Sequence, residues 1–419
     1  MTAGVLLEEV WRQESPHVLA ALMRRHGDLA DCEDAAQEAL VAAAEQWPQE
    51  GVPEYPRGWL IRVASRRLVD RIRSDQARSA REETDGVAQP ADAFTAPAAD
   101  EPDDSGDDAL LLVLLCCHPA LSRPSQVALT LRAVSGLATA DIAAAFLVPE
   151  TTMAQRLSRA RNTLRDNAVR FERPTTDELP TRVAAVLDVL YLVFNEGYAR
   201  TSGPRLVETS LAEEAIRLTR QLHAYLPDHD EVAGALALML LTHARRDARV
   251  DARGDLVPLA EQDRCRWDAA NITEGVAILE EVLPRGHVGA HQLQAAIAAL
   301  HAEAARYEDT DWAQIVVLYT MLAEVAPSPA VTLNRAVAVG MASGPDAGLA
   351  ALGPLVDDPA LRRYHRLPAV RAHLFELAGD RAAAAAEYAR AAELTSSWPE
   401  QRYLASRLAR VRSDAGAAD

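Results

Sequence analysis

Hydrophobic positions in this chain recur at intervals of three and four residues and rarely alternate, a pattern that predicts an all-α protein. The clearest stretch is "VPETTMAQRLSRARNTLR", from Val148 to Arg165. Met153, Leu157, Ala160 and Leu164 share one narrow apolar stripe of a helix. Thr151, Gln155, Ser158 and Asn162 fall on the opposite side, flanked by Arg159 and Arg165. Such a helix has one side for a core and one side of short hydrogen-bonding groups edged by cations. It suits either an ordinary solvated surface or a nucleic acid, where short polar groups reach base edges and arginines hold phosphates.

The residues before it narrow the choice. "SRPSQVALTLRAVSGLATADIAAAFLV" reads as a helix, a break at Ser135-Gly136, and a short helix with Ile142, Ala145 and Phe146 apolar. Leu147-Val148-Pro149 then makes a tight turn into the arginine-edged helix, completing a helix-turn-helix arrangement. Ala138 stands where a Ser or Thr N-cap is expected, which forgoes about 1 kcal/mol.

The N-terminal stretch has a related character. "VLLEEVWRQESPHVLAALMRR" predicts one helix or two, and "DCEDAAQEALVAAAEQW" a further one. In the latter Ala36, Leu40 and Ala43 are apolar, while Asp34, Gln37 and Glu38 cluster on a polar side. "PQEGVPEYP" is a Gly/Pro loop offering Gln49, Glu50 and Tyr55. "RGWLIRVASRRLVDRIRSD" is another helix, with Trp59, Leu60, Val63, Leu68 and Ile72 at its apolar positions and arginines on its exposed side.

Charge changes the picture because it is segregated. The net charge is −18, and all 43 basic residues are arginine. Yet residues 57–81 carry eight arginines against Asp70 and Asp75, and residues 151–173 carry six against Asp166 and Glu172. Residues 82–110 hold ten acidic side chains and no basic one. The overall acidity therefore describes neither basic segment. Four parts follow: 1–81, a small helical domain; 82–108, an acidic linker expected to be flexible; 109–173, the helix-turn-helix domain; and 174–419, a further helical array.

The last part repeats weakly. Helices near 312–326, 345–355 and 380–394 recur at about the 34-residue period of tetratricopeptide-type (TPR) hairpins. Ala383, Tyr388 and Ala391 sit where such hairpins pack, and residues 248–259 suggest a small hairpin around Gly254. The stretch Phe194-Asn195-Glu196-Gly197-Tyr198 suits either a helix end capped at Gly197 or a contact surface.

No nucleophile–base pair, phosphate loop or metal-ligand spacing occurs, so no enzyme activity, cofactor or metal is expected. Adjacent Cys116 and Cys117 diverge on a helix and read as core. The N-terminus lacks a basic signal region and no apolar run is long enough to span a bilayer, so a cytoplasmic location with no membrane contact is expected.

These segments resemble the sigma-70 family of bacterial RNA polymerase specificity subunits, more closely the extracytoplasmic-function (ECF) type with only regions 2 and 4. "DCEDAAQEAL" resembles region 2.2, "PRGWLIRVASRRLVDRIR" regions 2.3 and 2.4, and "FLVPETTMAQRLSRARNTLR" the recognition helix of region 4.2. "CCHPALS", "LVFNEGY", "EQDRCRWD" and "LNRAVAV" are similar to the ECF subgroup with a long TPR-like C-terminal extension.

The resemblance implies that Asp34, Gln37 and Glu38 bind core polymerase at its β′ clamp helices, with region 4 on the β flap. Arg57, Arg62, Arg66, Arg67 and Arg71 would hold −10 phosphates, with Tyr55 on the loop that captures a flipped base. Trp59 matches the family's buried tryptophan and reads as core. Thr151, Gln155, Ser158, Arg159 and Arg165 would read the −35 element of promoter DNA. The extension would replace a separate anti-sigma factor through intramolecular contact with the sigma domains, with Phe194, Asn195, Glu196, Gly197 and Tyr198 at the interface. The competing reading is a helix-turn-helix regulator that binds an operator alone and senses a ligand or protein through its C-terminal helices. Asp34, Gln37 and Glu38 beside a basic helix speak against it, because operator binding gives them no role.

Overall fold

A computed structural model describes residues 3–82, 105–146, 148–198 and 209–416. It is helical as the periodicity predicts. Among the described residues the nearest thing to a sheet is one antiparallel bridge, Val250 to Leu256, around Gly254 at φ +77°. The chain divides into two units, Met1–Leu190 and Tyr191–Asp419.

The first unit opens with α1 (Ala3–His26), α2 (Leu29–Glu50) and α3 (Pro56–Glu82). Pro16 lies inside α1 and removes one backbone hydrogen bond. The helix nevertheless continues, because Trp11 before the proline and Val18, Leu19, Leu22 and Met23 after it are all buried. Asp28 caps α2, its carboxylate accepting from the amides of Ala30 at 2.8 Å and Asp31 at 3.1 Å. α2 runs through Pro48 and ends only at Gly51, whose amide donates to the Trp47 carbonyl at 2.9 Å from a φ of +86°. The Gly/Pro loop therefore shrinks to 51–55, and Gln49 and Glu50 sit in the last helical turn.

α4 (Ser105–Cys116), α5 (Arg123–Ala133), α6 (Thr139–Ala145) and α7 (Glu150–Asp166) follow. The acidic linker lies outside the described residues except at its ends, which belong to α3 and α4. Leu147 lies outside them too. Ala138 begins α6 with no side-chain cap, as its residue type dictates. Gly136 turns the chain between α5 and α6 at φ +66°. A Cβ there would stand 2.8 Å from Ser15 Oγ and 3.0 Å from Trp11 Nε1, so this glycine also lets the turn approach α1. Cys116 and Cys117 are buried free thiols. Burial pushes both thiols up, Cys117 to about 12. His118 Nδ1 accepts from the Ala120 amide, and the Gln126 amide caps the Cys117 and His118 carbonyls at the end of α4. α8 (Leu179–Tyr198) contains the division between the units.

The second unit continues with α9 (Thr209–Tyr225), α10 (Asp230–His243), α11 (Ala269–Val282), α12 (Ala290–Glu303), α13 (Trp312–Val325) and α14 (Pro329–Ser343). It closes with α15 (Pro345–Ala351), α16 (Gly353–Val356), α17 (Arg366–Leu377), α18 (Arg381–Leu394) and α19 (Trp398–Gly416). Helices pack mainly on near neighbours in sequence. The helix expected over 345–355 is broken at Leu352, and Pro354 lacks the amide that would have bonded the Ala350 carbonyl of a continuous helix. α18 buries Ala384, Tyr388 and Ala391 at helical spacing, with Ala384 taking the place expected for the half-buried Ala383. Tyr388 donates to Glu376 at 2.7 Å, and Arg407 pairs with the same carboxylate, which ties α17, α18 and α19 together.

Candidate nucleic-acid interface

α7 is built as its pattern requires. Met153, Leu157, Ala160 and Leu164 are its buried residues, packed in the helix-turn-helix core. Thr151, Gln155, Ser158, Arg159 and Arg165 are exposed. Arg159 reaches Gln155 Oε1 at 3.5 Å, so the amide and the guanidinium stand side by side on the exposed face. Arg165 is held by Asn162 and lies 3.8 Å from Asp28 of the α2 cap. This face offers paired donors and acceptors for base edges and cations for phosphates.

On α2 and α3 the structure joins two sets that the sequence lists separately. Arg71 Nη1 donates to Asp34 at 2.9 Å and Nη2 to Glu38 at 2.5 Å. Arg67 lies 4.0 Å from Glu38. The candidate polymerase residues and two candidate DNA arginines therefore form one charged ridge, with Gln37 half-buried beside it. Arg62 and Arg66 are exposed. Arg57 instead turns to Glu14 of α1 at 2.6 Å. Tyr55 is 74% exposed at the tip of the 51–55 loop. Trp59 is half-buried, edge-on to Trp47 with ring centroids 5.4 Å apart.

Phe194–Tyr198 is helical, and Gly197 is buried inside α8. Of the two readings of this stretch, a helix capped at Gly197 is not the one observed, since α8 includes Gly197 and runs on to Tyr198. Phe194 fills the core between the Tyr191 and Tyr198 rings, 6.4 and 5.6 Å away. Arg249 lies 3.5 Å over the Tyr198 ring and donates to its carbonyl at 2.6 Å, and Arg245 donates to its hydroxyl at 3.1 Å. Asn195 and Glu196 are half-buried and line a cavity of the second unit.

Sequence reasoning missed one pair. Glu33 of α2 is buried at 6% exposure and meets Arg161 of α7 at 2.5 Å. Burial pushes its carboxyl upward, and Arg161 and Arg132 oppose the shift. The signal was present: Glu33 follows Leu29 by one turn and adjoins Cys32 and Ala36, so an acid lies on the apolar side of α2. Among the described residues no group of three His, Cys, Asp or Glu could hold a metal, and no helix is long and apolar enough to cross a membrane.

The class of protein follows from comparison with known families. Residues 10–78 match sigma-70 region 2 and residues 111–164 match sigma-70 region 4. Residues 182–283 match a family of unknown function, DUF6596. The chain belongs to the sigma-70 family, and its domain content is that of an RNA polymerase sigma factor, which implies binding to core RNA polymerase and promoter DNA.

Among relatives, an uncharacterized protein of Rhizobium meliloti (strain 1021) is 40% identical over 395 residues, 94% of this chain and 93% of that one. The whole architecture, extension included, is therefore shared. The probable ECF RNA polymerase sigma factor SigI of Mycobacterium tuberculosis is 29% identical over 161 residues, 38% of this chain. The alignment spans 54% of that relative's length. No solved structure matches the chain.

Proposed function

We propose that this protein is an ECF-type sigma factor that directs promoter-specific initiation in the cytoplasm and whose C-terminal helical array, TPR-like in its packing, controls its activity in place of a separate anti-sigma factor. The observation that carries the reading is α7, which buries its predicted stripe and leaves Thr151, Gln155, Ser158 and Arg159 exposed, in a chain that also contains region 2. In this reading α7 reads the −35 element. Arg62, Arg66, Arg67 and Arg71 hold the −10 strand, Tyr55 stacks on an unpaired base, and Arg57 joins them on leaving Glu14. Asp34, Gln37 and Glu38 meet the basic β′ clamp helices, and region 4 meets the β flap.

The control has a physical basis. Elements centred at −10 and −35 lie about 25 base pairs apart, roughly 85 Å along B-DNA at about 3.4 Å per pair. In the first unit α2 and α7 meet at ion-pair distance, so promoter recognition requires them to part. The extension acts on that opening. Phe194–Tyr198, in the second unit on the helix whose first part belongs to the first unit, is the coupling segment of this reading.

Run-off transcription with core polymerase tests the proposal. Full-length protein should direct initiation from a cognate promoter, and the Asp34, Gln37 and Glu38 triple alanine variant should not. A chain that binds its DNA site equally well without polymerase, and never supports initiation, is an operator-binding regulator instead.

A further inference from the structure

The second unit contains an open cavity of about 960 Å³, lined from α8, α10, α12, α13, α14 and α17. That volume lies in the range of ligand sites. Its walls combine aromatic rings, among them Trp312 and Tyr319, with the amides of Asn195 and Asn334 and the guanidinium groups of Arg245 and Arg366.

The arginines are the unusual feature. In a chain of net charge −18, neither Arg245 nor Arg366 has an ion-pair partner among the described residues. The one side-chain hydrogen bond of Arg245 goes to the Tyr198 hydroxyl at 3.1 Å. Arg366 is exposed. Further cations stand behind them: Arg249 lies over Tyr198, and Arg264 lies 4.4 Å from the Trp267 ring and donates to the His301 and Ala304 carbonyls. Nearby Glu400 is already engaged by His365 at 3.1 Å and Thr395 at 2.7 Å. Glu196 is the acid on the wall itself. Glu400 and Glu196 offset these cations only in part, since four arginines stand against two acids here, and an anionic ligand supplies the carboxylates that are short.

The shape and the amides define the ligand further. The cavity is open along successive helices, as in arrays that grip an extended segment. Asparagine offers both a donor and an acceptor, which matches a peptide backbone. Flanking aromatic rings suit apolar side chains between the acids.

We infer that this cavity binds an extended acidic peptide segment of a partner protein, with carboxylates on Arg245 and Arg366 and backbone groups on Asn195 and Asn334. The inference rests on the second unit alone and holds whichever promoter the first unit serves.

A library of short random peptides is selected against the full-length protein, and the enriched peptides are measured by fluorescence anisotropy. Enriched sequences should be rich in Asp and Glu, and their binding should weaken as salt rises. Arg245→Gln and Arg366→Gln should each weaken binding at least about tenfold, as expected for loss of a charge-assisted hydrogen bond. Arg366 is exposed and its charge acts on Glu400 and Tyr191, so the thermal melt is measured alongside, and an unchanged melt isolates the binding effect even if Arg245→Gln is destabilised. No enrichment, enrichment of neutral or basic peptides, or affinities unchanged in both variants would overturn the inference. Citrate that binds the cavity as tightly as the best peptide would also overturn it, in favour of a small-acid site. Run-off transcription of the same variants, measured without peptide, reports separately on the sigma assignment.

Discussion

Glu33 and Arg161 meet at 2.5 Å and join α2, within region 2, to α7, the last helix of region 4. Glu33 is buried and Arg161 is its cation, so removing either partner has unequal consequences. Arg161→Ala leaves a buried carboxylate without its main partner and should cost on the order of 3 kcal/mol in the first unit. Glu33→Gln keeps the shape and a hydrogen bond and should cost less. Denaturant titration gives the stabilities, and small-angle scattering reports whether α2 and α7 separate. If the contact restrains promoter use, Glu33→Gln should raise transcription with core polymerase. Unchanged scattering and unchanged transcription in both variants would remove the contact from the control of this protein.

The Arg71 bridge makes a second case. Asp34 and Glu38 face outward and their ion pairs with Arg71 are partly exposed, so they contribute at most about 1 kcal/mol each to stability. The alanine variants of Asp34, Gln37 and Glu38 should therefore melt almost as the parent does and yet lose core polymerase affinity. Arg71→Ala should keep that affinity and weaken single-stranded −10 binding. A triple variant with parental core affinity would remove this ridge from the polymerase interface.

On α7, Gln155 and Arg165 should separate by readout. Gln155→Ala should cost about 1–3 kcal/mol at the base pair it contacts and relax the −35 preference there. Arg165→Ala should weaken binding evenly across sequences and lower the salt slope by about 1. A promoter library scored with both variants distinguishes these patterns. An unchanged −35 preference in Gln155→Ala would count against α7 as the reader.

Gly136 and Gly51 both have positive φ, but only Gly136 has atoms waiting where a Cβ would go. Gly136→Ala should therefore cost more than Gly51→Ala, about 2–3 kcal/mol against about 1. Chemical denaturation of the two variants measures the difference. Equal losses would mean that the α1 contact gives way without penalty.

Two histidines, buried His243 and half-buried His301, set a pH dependence in the second unit. Burial, with Arg246 nearby, lowers His243 to about 4, and burial with Arg245 and Arg264 lowers His301 to about 4. Between about pH 4 and about 6.5 the unfolded chain binds these protons and the folded chain does not, so stability rises with pH across that window. Acidification from about pH 7 to about pH 5 should lower the melting temperature of the second unit, and His243→Gln should flatten the dependence. A melt independent of pH over that interval would show that neither histidine is held neutral by burial.

Local pattern determined a good deal of this. The stripe Met153, Leu157, Ala160 and Leu164, the break at Ser135-Gly136 and the uncapped Ala138 were all legible, because helical periodicity and turn chemistry depend on residues a few positions apart. The helical class followed for the same reason. Element ends were less legible. Trp47-Pro48 reads as a stop, yet the helix continues to Gly51, since a proline near a helix end costs little once the turn before it is packed.

What only the tertiary structure decided are relations between residues far apart in the chain. Glu33 finds Arg161, Arg71 bridges Asp34 and Glu38, and Gly136 fits against Trp11 and Ser15. The same holds for the cavity, where Arg245 and Arg366 come together across more than a hundred residues of intervening chain. Periodicity shows that a side chain faces inward or outward. Which charge stands opposite, and whether it is paired, is set by the packing of helices against one another, and a single helix carries no record of its neighbour.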